Sequence, residues 1–226
     1  MKQIGFNLKA VIFDMDGVLL DTESICKKCW QIEADKRGLK NVDEVYYKCV
    51  GQARQDTLST LTDFFSPQDK NFDAEDFYLS SVELFKEVEK TDGIPKMKGV
   101  DSCLKSLFST GIPLAVASST RRKTVLRQLK EAELFDYFKT FTCGDSVAHS
   151  KPDPEIYIKA CNSISVEPKN CLAVEDSPNG VRSAFGAGMK VVMIPDLIKP
   201  TEEISKMCFS ILPSIDLLPS FLDPYC

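Results

Sequence analysis

Polar side chains that could do chemistry follow four short apolar segments of this 226-residue chain. In chain order they are Asp14, Asp16, Ser118, Lys151, Glu175 and Asp176. Carboxylates held together without a counter-charge raise one another's pKa, so such a group needs a cation. Oxygen donors suit Mg²⁺, which commonly binds the phosphate groups of a substrate. A lysine and a hydroxyl beside these acids favour an anionic, phosphate-bearing ligand, because phosphoryl transfer depends mostly on positioning and charge neutralisation.

The alternation of short apolar runs with amphipathic stretches, from about residue 95 onward, predicts a parallel sheet covered by helices. Strand patterns occupy residues 8–13, 112–117, 140–143, 171–174, 191–194 and, less distinctly, 209–212. Helical patterns occupy residues 100–109, 123–132, 154–162, 180–187 and 202–207. Ligands of open parallel sheets bind at the carboxyl ends of the strands, where the strand order reverses. We therefore predict an α/β fold, a doubly wound parallel sheet with a Rossmann-like core, whose carboxyl edge gathers the polar side chains.

Residues 17–94 differ in pattern from the rest of the chain and contain no strand signal. Helical patterns occupy residues 22–37, 54–65 and 73–90. Thr22 or Ser24 is available as the N-cap of the first of these helices. The sequence therefore predicts a core made of residues 1–16 and 95–226, with residues 17–94 inserted after the first strand as a helical cap.

Composition and charge exclude several classes of partner. Lys and Arg total 28 against 33 Asp and Glu, a formal charge of −5, which argues against nucleic acid as the main partner. No apolar run approaches the ~18 residues that a membrane helix needs, so no membrane partner is expected. The first residues also have no apolar signal core. We expect a monomer of cytoplasmic location.

The cysteines, the single histidine and the glycines argue against other chemistries. Nine scattered cysteines are typical of reduced thiols in a cytosolic protein. Cys26 and Cys29 form a CxxC, but the sequence has no second CxxC and one histidine, His149, so it offers too few ligands for a structural zinc site. A catalytic triad would have to use His149, and no other motif points to that residue. No P-loop sequence occurs, and the Gly-Ala-Gly at 186–188 precedes the strand pattern at 191–194, whereas a dinucleotide fingerprint follows its strand.

Four motifs, taken in order, resemble those of the haloacid dehalogenase superfamily. They are DxDGVxxD at 14–21, Ser at 118, KPDP at 151–154 and EDSxxG at 175–180. The resemblance spans essentially the whole chain, including the inserted segment that this family calls a C1 cap. It is closest to the β-phosphoglucomutase-like branch of small-metabolite phosphatases. It implies a Mg²⁺-dependent phosphatase that hydrolyses a small phosphorylated metabolite (a sugar, polyol or nucleotide-derived phosphate) through an aspartyl-phosphate intermediate.

The resemblance also implies a role for each acid. Asp14 would be the nucleophile that attacks phosphorus, since a carboxylate can form such a covalent intermediate. Asp16 would be the general acid that protonates the leaving oxygen and later deprotonates the attacking water. Mg²⁺ would be held by Asp14, the main-chain carbonyl of Asp16 and Asp176. Glu175 would lie close to the ion or in its outer shell.

The resemblance places other residues around the substrate. Ser118 and Lys151 would grip the transferring phosphate, with Ser119 and Thr120 as further substrate-binding residues. Arg54, in the inserted segment, resembles a cap arginine that contacts a distal phosphate in the family. Its other interpretation is a solvent-facing helix residue, and both interpretations stay open at this point.

Other reactions of the superfamily fit the motifs less well. Asp16 argues against a dehalogenase and against the phosphonate-cleaving relatives, which use a cap lysine, although Lys27 and Lys28 lie in the cap segment. The main alternative is a phosphomutase of the β-phosphoglucomutase type. Arg54 favours the phosphomutase. Cys26 disfavours it, because the β-phosphoglucomutases have a cap histidine where this chain has Cys26. A binding module without activity is a third hypothesis, which the intact acids disfavour.

Overall fold

A computed structural model of the protein describes residues 6–50, 54–223 and 225. The strands are β1 (Ala10–Phe13), β2 (Leu114–Ser118), β3 (Thr140–Cys143), β4 (Cys171–Glu175), β5 (Lys190–Met193) and β6 (Ser210–Ile211). The helices are α1 (Thr22–Lys36), α2 (Val42–Cys49), α3 (Arg54–Phe65), α4 (Ala74–Asp92), α5 (Val100–Ser109), α6 (Arg122–Glu131), α7 (Glu155–Ser163), α8 (Pro178–Gly186), α9 (Glu202–Met207) and α10 (Leu218–Leu222). Residues 1–5 of the predicted core and 51–53 of the predicted cap lie outside the described residues.

The six strands form one parallel sheet in the order β3-β2-β1-β4-β5-β6. Every residue of β1, β2 and β4 is buried, which explains their continuous apolar sequences. β1 lies between β2 and β4, with Val11 opposite both Leu114 and Leu172. The strand order reverses at β1, so a crevice for ligands is expected at its carboxyl end. The predicted doubly wound α/β fold is confirmed.

Five of the six predicted strands differ from the observed strands by one or two residues at an end, and the pattern at 140–143 alone matches its strand at both ends. The strand predicted at 8–13 begins two residues before β1, which starts at Ala10. The pattern at 112–117 predicts a strand that begins two residues early, whereas β2 starts at Leu114. Pro113 has no N–H to donate to a neighbouring strand, and only its carbonyl joins the sheet, accepting from Val11 N at 3.0 Å. β6 is shorter than predicted and is the last strand of the sheet formed by the described residues, where it pairs with β5 alone.

One compact unit of the chain, Asp21–Ile94, consists of helices α1 to α4. Aromatic side chains form much of its interior, with the Trp30 ring 5.1 Å from that of Tyr46 and 5.6 Å from that of Phe77. The N-cap of α1 is Asp21, whose side chain accepts from Ser24 N at 3.2 Å. The prediction of Thr22 or Ser24 as the N-cap was therefore wrong. The observed N-cap precedes Thr22 by one residue.

The second compact unit combines the described residues up to Leu20 with those from Pro95 onward. The sequence placed the first boundary four residues earlier, after Asp16. Leu20 stays with the sheet because it forms β-bridges with Asp16 and with Lys96, and its N–H donates to Met15 O at 3.0 Å. Within the described residues, none of the helices is both long and apolar enough to cross a membrane.

Candidate active site

Two acids follow the last residue of β1. Asp14 is buried, and its main-chain N–H donates to Val174 O at 3.0 Å, which ties the residue to β4. Asp16 faces β2 instead, since its Oδ2 accepts from Ser118 Oγ at 3.2 Å and from Thr120 Oγ1 at 2.9 Å. The acids of one turn therefore contact the groups at the ends of both neighbouring strands.

The hydroxyl groups after β2 are held in place by the main chain around them. Ser118 is buried at the end of the strand, and its Oγ accepts from Thr120 N at 3.1 Å. Gly144 N donates to Thr120 O at 3.0 Å. A Cβ at position 144 would overlap the carbonyl of Ser119, so only glycine permits this close approach of the segments that follow β2 and β3.

Lys151 connects the ends of three strands. Its Nζ donates to Asp14 Oδ1 at 2.6 Å and to Glu175 Oε1 at 2.6 Å, and it also donates to Ala117 O at 3.1 Å. The side chain is only 8% exposed, so these charges interact away from bulk water. An ammonium has three N–H donors, and each of these acceptors can take one. The lysine thus holds the ends of β1, β4 and β2 together.

The Glu175 carboxylate is completely buried at the end of β4. Besides Lys151, its Oε1 accepts from Tyr157 Oη at 2.6 Å, and its Oε2 accepts from Ser177 Oγ at 3.2 Å. Ser177 is also the N-cap of α8 and accepts from Gly180 N at 3.1 Å. A Cβ at position 180 would overlap the Glu175 carboxylate, so the first turn of α8 has a glycine where the acid lies.

Three buried acids could hold a metal ion. Carboxylate oxygens of Asp14, Glu175 and Asp176 lie within 4.8 Å of one another. Gly17 makes room for this group: it has φ +74°, and a Cβ there would lie 2.5 Å from Asp176 Oδ2. Oxygen donors of this kind fit a hard divalent cation such as Mg²⁺, and the excess of negative charge favours one.

Comparison with known proteins identifies the family. A family model described as haloacid dehalogenase-like hydrolase matches residues 11–194, which include all of these acids and Lys151. The chain belongs to the haloacid dehalogenase-like hydrolases. It is 32% identical over 185 residues to a phosphorylated carbohydrates phosphatase of Thermotoga maritima, covering 81% of this chain and 83% of that one. The family resemblance inferred from the motifs is confirmed.

Further relatives of this haloacid dehalogenase-like hydrolase agree with that assignment. The β-phosphoglucomutase of Bacillus subtilis is 28% identical over 191 residues, covering 82% of each chain. The solved structure of a HAD family hydrolase from Deinococcus radiodurans, with bound phosphate and sodium, has the same fold. Its TM-score is 0.82 at 24% identity, with 98% of this chain and 97% of that chain covered. The chain is a phosphatase, that is, a phosphoric monoester hydrolase.

Burial and neighbouring charges shift the pKa values of Asp14 and Lys151 in this site. Burial raises the pKa of Asp14 to about 8, the negative charges of Glu175 and Asp16 act in the same direction, and the ammonium of Lys151 opposes them. Burial acts to lower the pKa of Lys151, but the charges of Asp14 and Glu175 outweigh it and hold that pKa above the ordinary value of 10.5. Lys151 is therefore a permanent cation within a group of acids.

The structure brings most of the predicted site residues together in the sheet-containing unit. These are Asp14, Asp16, Ser118, Thr120, Lys151, Glu175 and Asp176. The Ser119 side chain is exposed. Arg54 begins α3 in the helical unit, where it pairs with Glu75 and lies 5.4 Å from the centre of the Tyr78 ring. Substrate binding by Ser119 and Arg54 stays a prediction.

Sequence reasoning missed the tyrosine of the site. Tyr157 lies in the helical pattern that was predicted at 154–162, where an aromatic residue is expected to face the core. No signal in the sequence distinguishes its hydroxyl from that of an ordinary core tyrosine. Gly180, in contrast, ends the EDSxxG motif, and its spacing from Glu175 could have indicated the contact.

Proposed function

We propose that the protein is a Mg²⁺-dependent phosphatase that hydrolyses a small phosphorylated metabolite through an aspartyl-phosphate at Asp14. The observation that carries this proposal is the meeting of Asp14, Asp176 and Lys151 at the carboxyl end of β1. A nucleophilic carboxylate, a further acid for a cation and a permanent ammonium are the groups that phosphoryl transfer requires.

The two acids of the first motif would divide the proton chemistry. An Asp14 oxygen attacks phosphorus, and the bond from phosphorus to the ester oxygen breaks while Asp16 gives that oxygen its proton. Water then attacks the phosphorus of the aspartyl-phosphate and passes a proton to Asp16, while the bond from phosphorus to the Asp14 oxygen breaks. This step releases phosphate and restores both acids. The bonds from Ser118 and Thr120 fix the Asp16 carboxyl for both transfers.

The remaining groups would bind and neutralise the phosphoryl group. Lys151 supplies a positive charge beside Asp14, so an anionic nucleophile can approach an anionic ester. Ser118 and Thr120 offer hydroxyls at the same strand end. Mg²⁺, held by Asp14, the Asp16 carbonyl and Asp176, would add charge neutralisation at the phosphoryl oxygens. Because both Glu175 oxygens accept bonds from Lys151, Tyr157 or Ser177, we place Glu175 beside the ion rather than among its direct ligands.

The names of the relatives support a substrate class. The Thermotoga maritima relative is named as a phosphatase of phosphorylated carbohydrates, which supports a sugar or polyol phosphate. Nucleotide-derived phosphates are the second substrate class that we propose. We propose that the helical unit Asp21–Ile94 is the cap that admits the substrate and excludes water, as lids commonly do.

A phosphomutase is the alternative, supported by the Bacillus subtilis relative named β-phosphoglucomutase. Arg54 would then bind the second phosphate, for which it would have to leave Glu75. The state of Lys27 argues against phosphonate cleavage. A hydrogen bond with Tyr47 and the nearby Asp43 carboxylate hold the pKa of Lys27 above 10.5, which disfavours the neutral amine that a Schiff base needs.

Hydrolysis of p-nitrophenyl phosphate tests the proposal. We expect turnover with Mg²⁺, loss of turnover with EDTA, and loss of turnover in Asp14→Asn. Asp136→Asn changes an exposed aspartate that is not among the site residues, so it is the matched control and should keep full activity. Full activity in Asp14→Asn, or turnover independent of metal, would contradict the mechanism. Conversion of β-glucose 1-phosphate to glucose 6-phosphate without release of phosphate would favour the mutase.

A further inference from the structure

Tyr157 is a fully buried side chain that the proposed mechanism does not use. Its ring belongs to the apolar cluster between α7 and the sheet, together with Ile12, Ala117 and Ala173. The hydroxyl leaves this cluster and donates to Glu175 Oε1 at 2.6 Å. A buried tyrosine usually finds a partner for its hydroxyl, but here the partner is an acid of the active site.

The same tyrosine also contacts the site lysine. Lys151 Nζ lies 3.5 Å from Tyr157 Oη and 5.0 Å from the centre of the ring. That separation is within the ~6 Å over which an ammonium is attracted to an aromatic face. Lys151 Nζ and Tyr157 Oη share one acceptor, Glu175 Oε1, at 2.6 Å each. Tyr157 therefore touches both members of a buried ion pair.

The sharing of that acceptor affects where the lysine charge acts. A buried carboxylate that loses a partner is strongly destabilised. Without the tyrosine hydroxyl, Lys151 would be the remaining side-chain donor to Glu175 Oε1, since Ser177 Oγ donates to Oε2. Lys151 would then be drawn toward Glu175 and away from Asp14, to which it now donates at 2.6 Å. With the hydroxyl in place, the ammonium can serve both acids.

We propose that Tyr157 is a positioning residue of the phosphatase site. Its hydroxyl fixes Glu175 Oε1 and its ring supports the Lys151 ammonium, so that the lysine charge is directed toward Asp14 and the phosphoryl group bound there. This inference rests on the proposed phosphatase function and adds to it a residue that acts through Lys151 and Glu175.

The test compares two variants of Tyr157 with wild type. Tyr157→Phe removes the hydroxyl and keeps the ring, and Tyr157→Met removes both while filling the core. The assay measures kcat on p-nitrophenyl phosphate with Mg²⁺ and the inhibition constant of orthovanadate, which mimics the five-coordinate phosphoryl group. An inhibition constant does not depend on the fraction of enzyme that is folded. We expect it to rise about tenfold in Tyr157→Phe, as for loss of one charge-assisted hydrogen bond, and at least as much in Tyr157→Met.

Tyr46→Phe is the matched control. Tyr46 is also buried and donates to a carboxylate, Glu23 Oε2, at the same distance of 2.6 Å, but it belongs to the helical unit Asp21–Ile94. Its vanadate inhibition constant should stay within twofold of wild type. An unchanged constant in a folded Tyr157 variant, even with a lower kcat, would show a role in folding alone and overturn the proposal. A wild-type protein without metal-dependent turnover would instead overturn the phosphatase function.

Discussion

Position 180 has no room for a side chain, which makes Gly180→Ala a sharp test of the site geometry. A Cβ there would lie closer than 3.0 Å to the carboxylate carbon and both oxygens of Glu175. Glu175 is fully buried, so its carboxylate has no solvent-filled space into which it could move. We expect the acid to be pushed away from Lys151 and Tyr157, to each of which it is bonded at 2.6 Å.

The size of the effect follows from the interactions that would be broken. Separating the partners of a buried ion pair costs about 3–5 kcal/mol. Alanine in place of glycine within a helix returns about 1 kcal/mol. The free energy of unfolding of Gly180→Ala should therefore fall by about 2–4 kcal/mol. Since Lys151 would also lose its place beside Asp14, kcat should fall by about 100-fold, the usual effect of removing one electrostatic group.

Gly186→Ala is the control on the same helix. A Cβ at position 186 would lie 3.6 Å from Pro154 Cβ, an ordinary van der Waals contact. Turnover of p-nitrophenyl phosphate should therefore be close to wild type for this variant. Its urea midpoint should equal the wild-type value or rise slightly, because alanine in a helix adds up to about 1 kcal/mol of stability. If Gly180→Ala and Gly186→Ala unfold at the same urea concentration and turn over equally fast, the tight contact between α8 and Glu175 is wrong, and with it the role given to the buried ion pair.

Three other predictions concern single carboxylates. Gly17→Ala should raise the Mg²⁺ concentration needed for half-maximal activity about tenfold or more, because the alanine Cβ would displace Asp176. A metal titration with an unchanged midpoint would contradict this. Asp16→Ala should lose turnover of alkyl phosphates but accumulate the aspartyl-phosphate from p-nitrophenyl phosphate, detectable by mass spectrometry after acid quenching. The hydrogen bond from Lys159 lowers the pKa of Glu155 from 4.5 to about 2. The ionised Glu155 therefore stabilises the fold above pH 4.5, and this stabilisation is lost as the pH falls through 2. Glu155→Gln should lower the urea midpoint near neutral pH, and the difference from wild type should disappear between pH 4.5 and 2.

The sequence could predict the sheet and its polar edge because both depend on local patterns. The runs that became β1 and β4 are apolar without interruption, which is typical of strands buried on both faces. In a parallel sheet all carboxyl ends lie at one edge, so the pattern predicted that Asp14 and Asp176 share that edge. Their close approach also requires β1 and β4 to be neighbouring strands, which is a feature of the folded sheet.

Contacts that depend on side-chain direction could not be predicted in this way. Tyr157 has the spacing of a core residue, and only the packed structure shows that its hydroxyl reaches Glu175. Helix α2 (Val42–Cys49) was missed because it is only eight residues long and follows Asn41, whose φ of 62° no local pattern indicates. The first boundary of the helical unit was misplaced because Leu20 is held by the bridge to Lys96, a partner remote in sequence.

The assembly of this site is linked to the pairing of its strands. Asp14 N donates to Val174 O, Lys151 Nζ donates to Ala117 O, and Ile194 N donates to Glu175 O at 2.7 Å. These bonds connect the site to main-chain atoms of β1, β2, β4 and the end of β5. Because the acids repel one another unless Lys151 lies among them, the paired strands and the buried cation depend on each other for stability. Stability and chemistry therefore depend on the same few groups, and a change at Lys151 or Glu175 should affect both.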